Sequence, residues 1–338
     1  MAKLEFTRRN LLTAGATLPL VGILSKRGLA ADFTYKLATG QDPTHPINKR
    51  AQEAIDRVRA ATGGRLEIKL FPANQLGADT DLLSQVRIGG VEFFNLSTSI
   101  LATLVPAASM PNTGFAFPDY NAVWNAMDGG LGDYIRTKIT KAGLIPVCKV
   151  QDNGFRQITT STHPITRPGD FKGLKIRVPP SPILTSLFAA LGAGPTPINF
   201  SELYSALQTK IVEGQENPLA IIATTRLYEV QKYCSMTSHV WDGYWLLGNR
   251  RAWARLPENL RHIVTAEFDK AAMDERADIE KLSQSLRQQL TGKGLQFNDV
   301  DRTQFRDTLR QTSFYKSWRA KFGDEAWRLL EAGSGPLT

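Results

Sequence analysis

The chain has 338 residues, with 41 Lys and Arg against 32 Asp and Glu, 2 cysteines and 4 histidines. Residues 1–30 hold five of the basic residues and one acidic one, so the remainder balances at 36 against 31. So mild an excess suits small anionic solutes, and no basic run interleaved with aromatics points to nucleic acid. Cys148 and Cys234 allow one disulfide in an oxidising compartment, but each sits beside apolar residues, where buried free thiols are at least as expected.

The chain opens as an export signal, with "MAKLEFTRRN" as its charged n-region and "LLTAGATLPLVGIL" (11–24) as its apolar core. "GLA-AD" then offers small residues for cleavage after Ala30. Thr7-Arg8-Arg9-Asn10-Leu11-Leu12 fits a twin-arginine signal, and Lys26 and Arg27 after the apolar run suit that route. The run falls short of the roughly 20 residues that span a bilayer. The expectation is a signal peptide over 1–30 and a mature chain exported to the periplasm.

What remains is large for one core and comfortable for two lobes. Strands are predicted at 32–40, 65–72 and 91–97, with helices at 47–64 and 79–90 between them. This βαβαβ opening implies an α/β fold on a mostly parallel sheet. The pattern restarts with strands at 144–152, 156–161 and 174–178 and helices at 182–192 and 201–210. Residues 233–249 read as one extended stretch, longer than a usual strand and able to run from one lobe into the other. From Pro257 to Leu290 the apolar residues keep helical spacing, and aromatic-rich helices follow around Phe305, Phe314, Trp318 and Trp327.

A search for chemistry returns little. HExxH, CxxC, G-x-S-x-G and the phosphate-loop pattern are absent, and "GGLGDYI" (129–135) lacks the third glycine and preceding strand of a dinucleotide site. His45, His163, His239 and His262 have no metal-ligand spacing. No catalytic residue, cofactor or metal is expected. His239, inside the long extended stretch, reads as a hydrogen-bonded hinge or pocket histidine.

Three segments set polar groups in apolar surroundings: "NGFRQITTS" with Arg156, "LKIRVP" with Arg177, and "VEGQENPLA" with Gln215, Glu216 and Asn217. Leu174, Ile176 and Val178 alternate on one face of a strand, so Arg177 points to the other. Two readings stay open there, a solvated edge charge or the anion hook of a pocket. A pair of arginine forks over one carboxylate, with Asn217 adding an amide donor, would make an anion clamp. Equally, Glu216 could pair with one arginine in a purely structural set.

Taken together, "NGFRQITTS" (153–161), "FKGLKIRVP" (171–179), "PTPINFSELYSALQTKIVEGQENPL" (195–219), "LYEVQKYCSMTSH" (227–239) and the segment 63–93 resemble the DctP-type substrate-binding subunits of tripartite ATP-independent periplasmic (TRAP) transporters. "GQENP" following "FSELYSALQ" is the most specific part. The resemblance implies a two-lobed periplasmic binding protein fold, with a ligand cleft between the lobes and a long helix spanning both. Residues 31–153 plus about 243–283 would form one lobe, and 154–242 plus about 284–338 the other.

In this reading Arg177 is the carboxylate hook, Arg156 a second arginine, Asn217 the asparagine of the "GQENP" loop and Phe200 an aromatic of the pocket wall. Gln41 and Ser97 end strands of the first lobe, the wall opposite Asn95 and Ser97 is expected to include Gln41, Asp42, Trp241, Asp242 and Tyr244, and His239 is a further candidate at the ligand. The expected partners are a small carboxylate and the TRAP membrane subunits. A monocarboxylate with hydroxyl or oxo groups (a sugar acid or 2-oxo acid) is preferred, and a C4-dicarboxylate is the main rival because Arg156 could take a second carboxylate. An exported enzyme acting on organic acids and a ligand-sensing module are the alternatives to a transport receptor.

Overall fold

The computed structural model describes residues 31–337, and the export signal expected over 1–30 lies outside the described residues. Apolar alternation builds β1 (Phe33–Thr39) and β2 (Leu66–Phe71), joined by α1 (Pro46–Ala61), which buries Ile47, Ala51, Ala54, Ile55 and Val58 on one face. His45 caps α1, its Nδ1 accepting from the Ile47 N–H at 3.2 Å. Burial pulls this imidazole down to about 4, so it stays neutral as a cap should. After α2 (Asp79–Ile88) the chain turns at Gly89, whose φ of 94° favours glycine, and enters β3 (Phe93–Ser97). Both β2 and β3 pair in parallel with β1.

The next stretch holds elements beyond those expected: α3 (Thr98–Leu101), α4 (Tyr120–Met127) and α5 (Gly130–Lys141). The glycines of "GGLGDYI" serve the junction of α4 and α5. A Cβ on Gly132 would stand 1.8 Å from the Met127 carbonyl oxygen, so close packing requires the glycine there. The strand expected over 144–152 divides into β4 (Leu144–Pro146) and β5 (Gln151–Phe155).

A second sheet takes β6 (Gln157–Thr160), β7 (Lys175–Val178), β8 (Gly194–Pro197), β9 (Gly214–Asn217) and β10 (Tyr233–Met236). Between these strands run α6 (Pro182–Ala190), α7 (Leu203–Gln208) and α8 (Leu219–Thr224). The long extended stretch is two strands in two sheets, for β11 (Trp241–Asn249) leaves β10 behind and pairs antiparallel with β3, β4 and β5. The first sheet is therefore mixed rather than mostly parallel, because β11 arrives from the second sheet running against β3.

Beyond α9 (Arg250–Arg255), the 35 residues of α10 (Glu258–Gly292) make a rod of about 52 Å. Its apolar stripe is divided. Leu260, Val264, Phe268 and Ala271 pack with β1, β2 and α1, whereas Ile279, Leu286 and Leu290 pack with Leu203, Ile222 and Cys234 beneath the second sheet. Arg50 of α1 ties itself to Asp278 of α10 at 2.7 Å. Then β12 (Gln296–Asp299) joins β10 in parallel, and α11 (Arg302–Gln311), α12 (Phe314–Phe322) and α13 (Asp324–Ser334) close the chain. This tail touches both halves: α11 packs on the turn at 168–171, α12 on α6, and α13 on α4 and α5.

Cys148 and Cys234 are free, buried and in separate apolar clusters. Among the described residues, no helix is long and apolar enough to cross a membrane, and no group of His, Cys, Asp and Glu is arranged to hold a metal ion.

Candidate functional site

The two sheets meet at a cleft lined from both sides. From the first sheet come Gly40 and Gln41 just past β1, Asp79 at the start of α2, Asn95 and Ser97 on β3, and Tyr244 on β11. From the second come Arg177 at the end of β7, Phe200, Asn217 at the end of β9 and Ile221 on α8. Asn153 and Arg156 line it where β5 passes into β6. Loops and residues at strand ends are where α/β sheets bind ligands.

Arg177 is 1 % exposed, which settles the question that strand alternation left open: it is no solvated edge charge. Its Nε donates to the Ile198 carbonyl at 2.9 Å. Its Nη2 is buried with no protein acceptor, and among the described residues it makes no ion pair. Burial pulls this guanidinium down to about 10, with Glu216 and Asp79 opposing and Arg156 assisting. A cation buried without a partner is expensive unless an anion joins it.

Arg156 is held very differently. Its Nε and Nη2 fork onto the Glu216 carboxylate, Nη2 also reaches Asn217 Oδ1 at 3.0 Å, and Nη1 reaches Asp242 Oδ2 at 3.2 Å. Burial alone would raise Glu216, but Arg156 and a His239 hydrogen bond outweigh it and hold the carboxyl below its usual value. Asp242 also accepts from Ser97 Oγ at 2.6 Å, Asn153 Nδ2 at 2.9 Å and Asn112 Nδ2 at 3.2 Å. A register shift in the β5–β11 pairing at Asp242 and Gly243 turns this carboxylate into the cluster. A side chain at Gly243 would lie 2.5 Å from the Trp241 ring, so the irregular pairing needs glycine.

Of the residues expected at the ligand, the structure brings Arg177, Arg156, Asn217, Phe200, Gln41 and Ser97 to the cleft. His239 and Trp241 stand behind its wall instead. His239 Nε2 meets Glu216 at 3.1 Å, its Nδ1 meets Thr237 Oγ1 at 2.8 Å, and its ring edge rests on Phe188. Trp241 Nε1 donates to Asp152 at 2.8 Å and its ring packs against Trp124. Both lie in an extended segment buried on every side, where alternation does not tell cleft from back.

Sequence reasoning missed Asp79 and Asn153. Asp79 reads as an ordinary acidic residue in the first turn of a helix. It is 6 % exposed and accepts from Asn74 Nδ2 at 2.8 Å. Burial raises its pKa, and the Asn74 hydrogen bond and Arg177 act against that rise.

The sequence profile of the DctP family, "Bacterial extracellular solute-binding protein, family 7", matches residues 37–318. The chain belongs to this family. DctP-family members are solute-binding proteins, so this chain is a binding protein rather than an enzyme. Protein y4mM of Sinorhizobium fredii, itself uncharacterized, is 32 % identical over 305 residues, which cover 90 % of this chain and 56 % of that longer protein. The C4-dicarboxylate-binding periplasmic protein DctP of Rhodobacter capsulatus is 32 % identical over 256 residues, 75 % of this chain and 76 % of that one.

Two crystal structures are similar throughout the DctP-family fold. A TRAP periplasmic solute-binding protein from Polaromonas, bound to D-erythronate, is 29 % identical with a TM-score of 0.85, covering 90 % of this chain and 98 % of that one. The sugar acid binding protein DctPAm from Advenella mimigardefordensis, in complex with galactonate, is 27 % identical with a TM-score of 0.86 at the same coverage. The two-lobed α/β architecture with its long helix is thus the fold of this chain.

Behind the cleft lies a second buried acid group. The Asp152 N–H donates to Glu275 Oε2 at 2.8 Å, and Glu275 Oε1 has no protein partner. Burial raises Asp152 to about 7, against the hydrogen bonds of Trp241 and Tyr120, and raises Glu275 well above its usual value. A carboxyl whose pKa is higher folded than unfolded binds more protons in the native state between those two values. Stability therefore falls as pH rises from about 4 to about 7 and levels off for Asp152 above that. Asp152→Asn should raise the melting temperature at pH 8 and flatten its decline between pH 4 and pH 7. Thermal denaturation across pH checks this, and a variant with the same pH profile as the parent would count against it.

Proposed function

We propose that this protein is the periplasmic receptor of a TRAP transporter, capturing a small organic acid anion in the cleft and delivering it to the membrane subunits. The observation that carries the reading is Arg177, buried at the cleft with Nη2 unmatched by any protein acceptor. A ligand carboxylate supplies the missing anion, and the planar fork suits its two oxygens. Arg156 already carries Glu216 and Asp242, so it shapes the floor and holds Asn217 rather than acting as the main hook. Family membership and the organic-acid complexes of its relatives support the same assignment.

Arg177→Ala should weaken organic-acid binding by about 2–5 kcal/mol, the range for losing one partner of a buried hydrogen-bonded charge pair. Arg177→Lys keeps the charge, loses the fork and should also bind less tightly. A thermal-shift screen of organic acids followed by calorimetry measures both. Parental affinity in a folded Arg177→Ala protein would overturn the assignment.

We further propose that residues 31–153 with about 243–283 form one lobe, that 154–242 with about 284–338 form the other, and that they close on the ligand. Supporting this, each sheet contributes one wall of the cleft. A closing pair makes apparent affinity depend on the open–closed equilibrium. Small-angle scattering should show a smaller radius of gyration with saturating ligand, and superimposable profiles would argue against closure.

Export through the twin-arginine route is the proposal for residues 1–30, resting on Arg8 and Arg9 ahead of the apolar run. Replacing both by lysine should leave precursor in the cytoplasm on fractionation. Undiminished mature protein in the periplasm would exclude that route.

A further inference from the structure

The hydrogen-bonding capacity of the cleft is polarised. Its uncompensated donor, Arg177 Nη2, belongs to the second sheet. Its uncompensated acceptors stand on the other side: Gln41 Oε1, Asn95 Oδ1 and Asn153 Oδ1 are all buried with no protein donor. The orientation of Asn153 is fixed by chemistry, because its Nδ2 faces the Asp242 carboxylate at 2.9 Å. Exchanging the amide's oxygen and nitrogen would set oxygen against oxygen, so Oδ1 must turn away from Asp242. Asp79 adds a carboxylate to this acceptor wall. Gly40 lets it approach, since a Cβ there would lie 2.8 Å from Asp79 Oδ1.

Resting on the organic-acid reading above, we propose that the ligand is a polyhydroxylated monocarboxylate and that Asp79 is the residue that turns away a second carboxylate. The carboxylate takes Arg177, and hydroxyls along the chain donate to Gln41, Asn95, Asn153 and Asp79. Each hydroxyl satisfies an acceptor that otherwise stays buried and unpaired. An oxo group or a second carboxylate brings acceptors to acceptors. The carboxylate also meets the charge of Asp79 in a site largely removed from water, where like charges repel strongly. Arg156 does not rescue it, because its own two carboxylates already balance it.

Calorimetry on the mature protein with four-carbon acids isolates the chemistry from chain length. D-Erythronate and L-threonate carry three hydroxyls and one carboxylate, succinate two carboxylates, and 2-oxobutanoate one carboxylate and an oxo group. The better hydroxylated acid should bind at least about 100-fold more tightly than succinate or 2-oxobutanoate, because the site is built to receive hydroxyl donors. Asp79→Asn keeps an acceptor, removes the charge and should narrow the gap to succinate about tenfold, chiefly by raising succinate affinity.

Gln41→Met is near in shape and lacks the acceptor. It should weaken the hydroxylated acid about tenfold while leaving succinate unchanged, which decides the matter even if the Asp79 variant fails to fold. Succinate or 2-oxobutanoate binding as tightly as both hydroxylated acids would overturn the proposal while leaving the organic-acid receptor standing. So would a folded Asp79→Asn protein with the parental preference. Binding of no carboxylate at all by the folded parent would remove both readings together.

Discussion

The site rests on one buried run of charge, Glu216 to Arg156 to Asp242. Ions this deep inside a protein lose their hydration, and only close geometry with every remaining lone pair satisfied makes the arrangement tolerable. Here that condition is met by hydrogen bonds drawn from all around the junction: His239 on Glu216, and Ser97, Asn112 and Asn153 on Asp242. Arg156 is thereby neutralised inside the protein. Arg177, about the same depth below the surface, is not. The two arginines thus stand differently, one matched by carboxylates of the protein and the other with its Nη2 unmatched.

This division explains why the polar cluster resists a reading by residue type alone. Arginine, glutamate and asparagine beside one another are equally consistent with a clamp and with a self-contained salt bridge, and among the described residues Arg156 makes the salt bridge while Arg177 makes none. What separates them is the partner count of each guanidinium, a property of two strands and a strand junction brought together from residues 177, 216 and 156. The segments that carry the family resemblance converge on one cleft, where strand ends and the "GQENP" turn meet.

The elements that were legible are those with a long, clean period. β1, β2, α1 and α10 each show one apolar face over several repeats, so their place in the core follows from spacing. Between residues 98 and 112 that signal fades. Every residue of α3 is buried, and a short 3₁₀ turn at Pro106–Asn112 carries two prolines, so neither presents an amphipathic stripe. Asp79 was hidden for a different reason, since an acid opening a helix is favourable without any ligand. Only its approach to Gly40, 39 residues earlier in the chain, carries it to the cleft.

The chain passes between its two sheets by three routes. One is Arg156 itself, the single residue between β5 and β6; another is residues 237–240 between β10 and β11; the third is the uninterrupted rod of α10. The Arg156 N–H donates to the Val240 carbonyl at 2.9 Å, so the first two routes are fastened side by side like the leaves of a strip spring. The rod of α10 packs under both sheets, and the tail helices touch both halves as well, so further ties run across the junction. The guanidinium that cements the charge run belongs to the residue at the first of these crossings, so the connection between the sheets and the electrostatics of the site meet in one side chain.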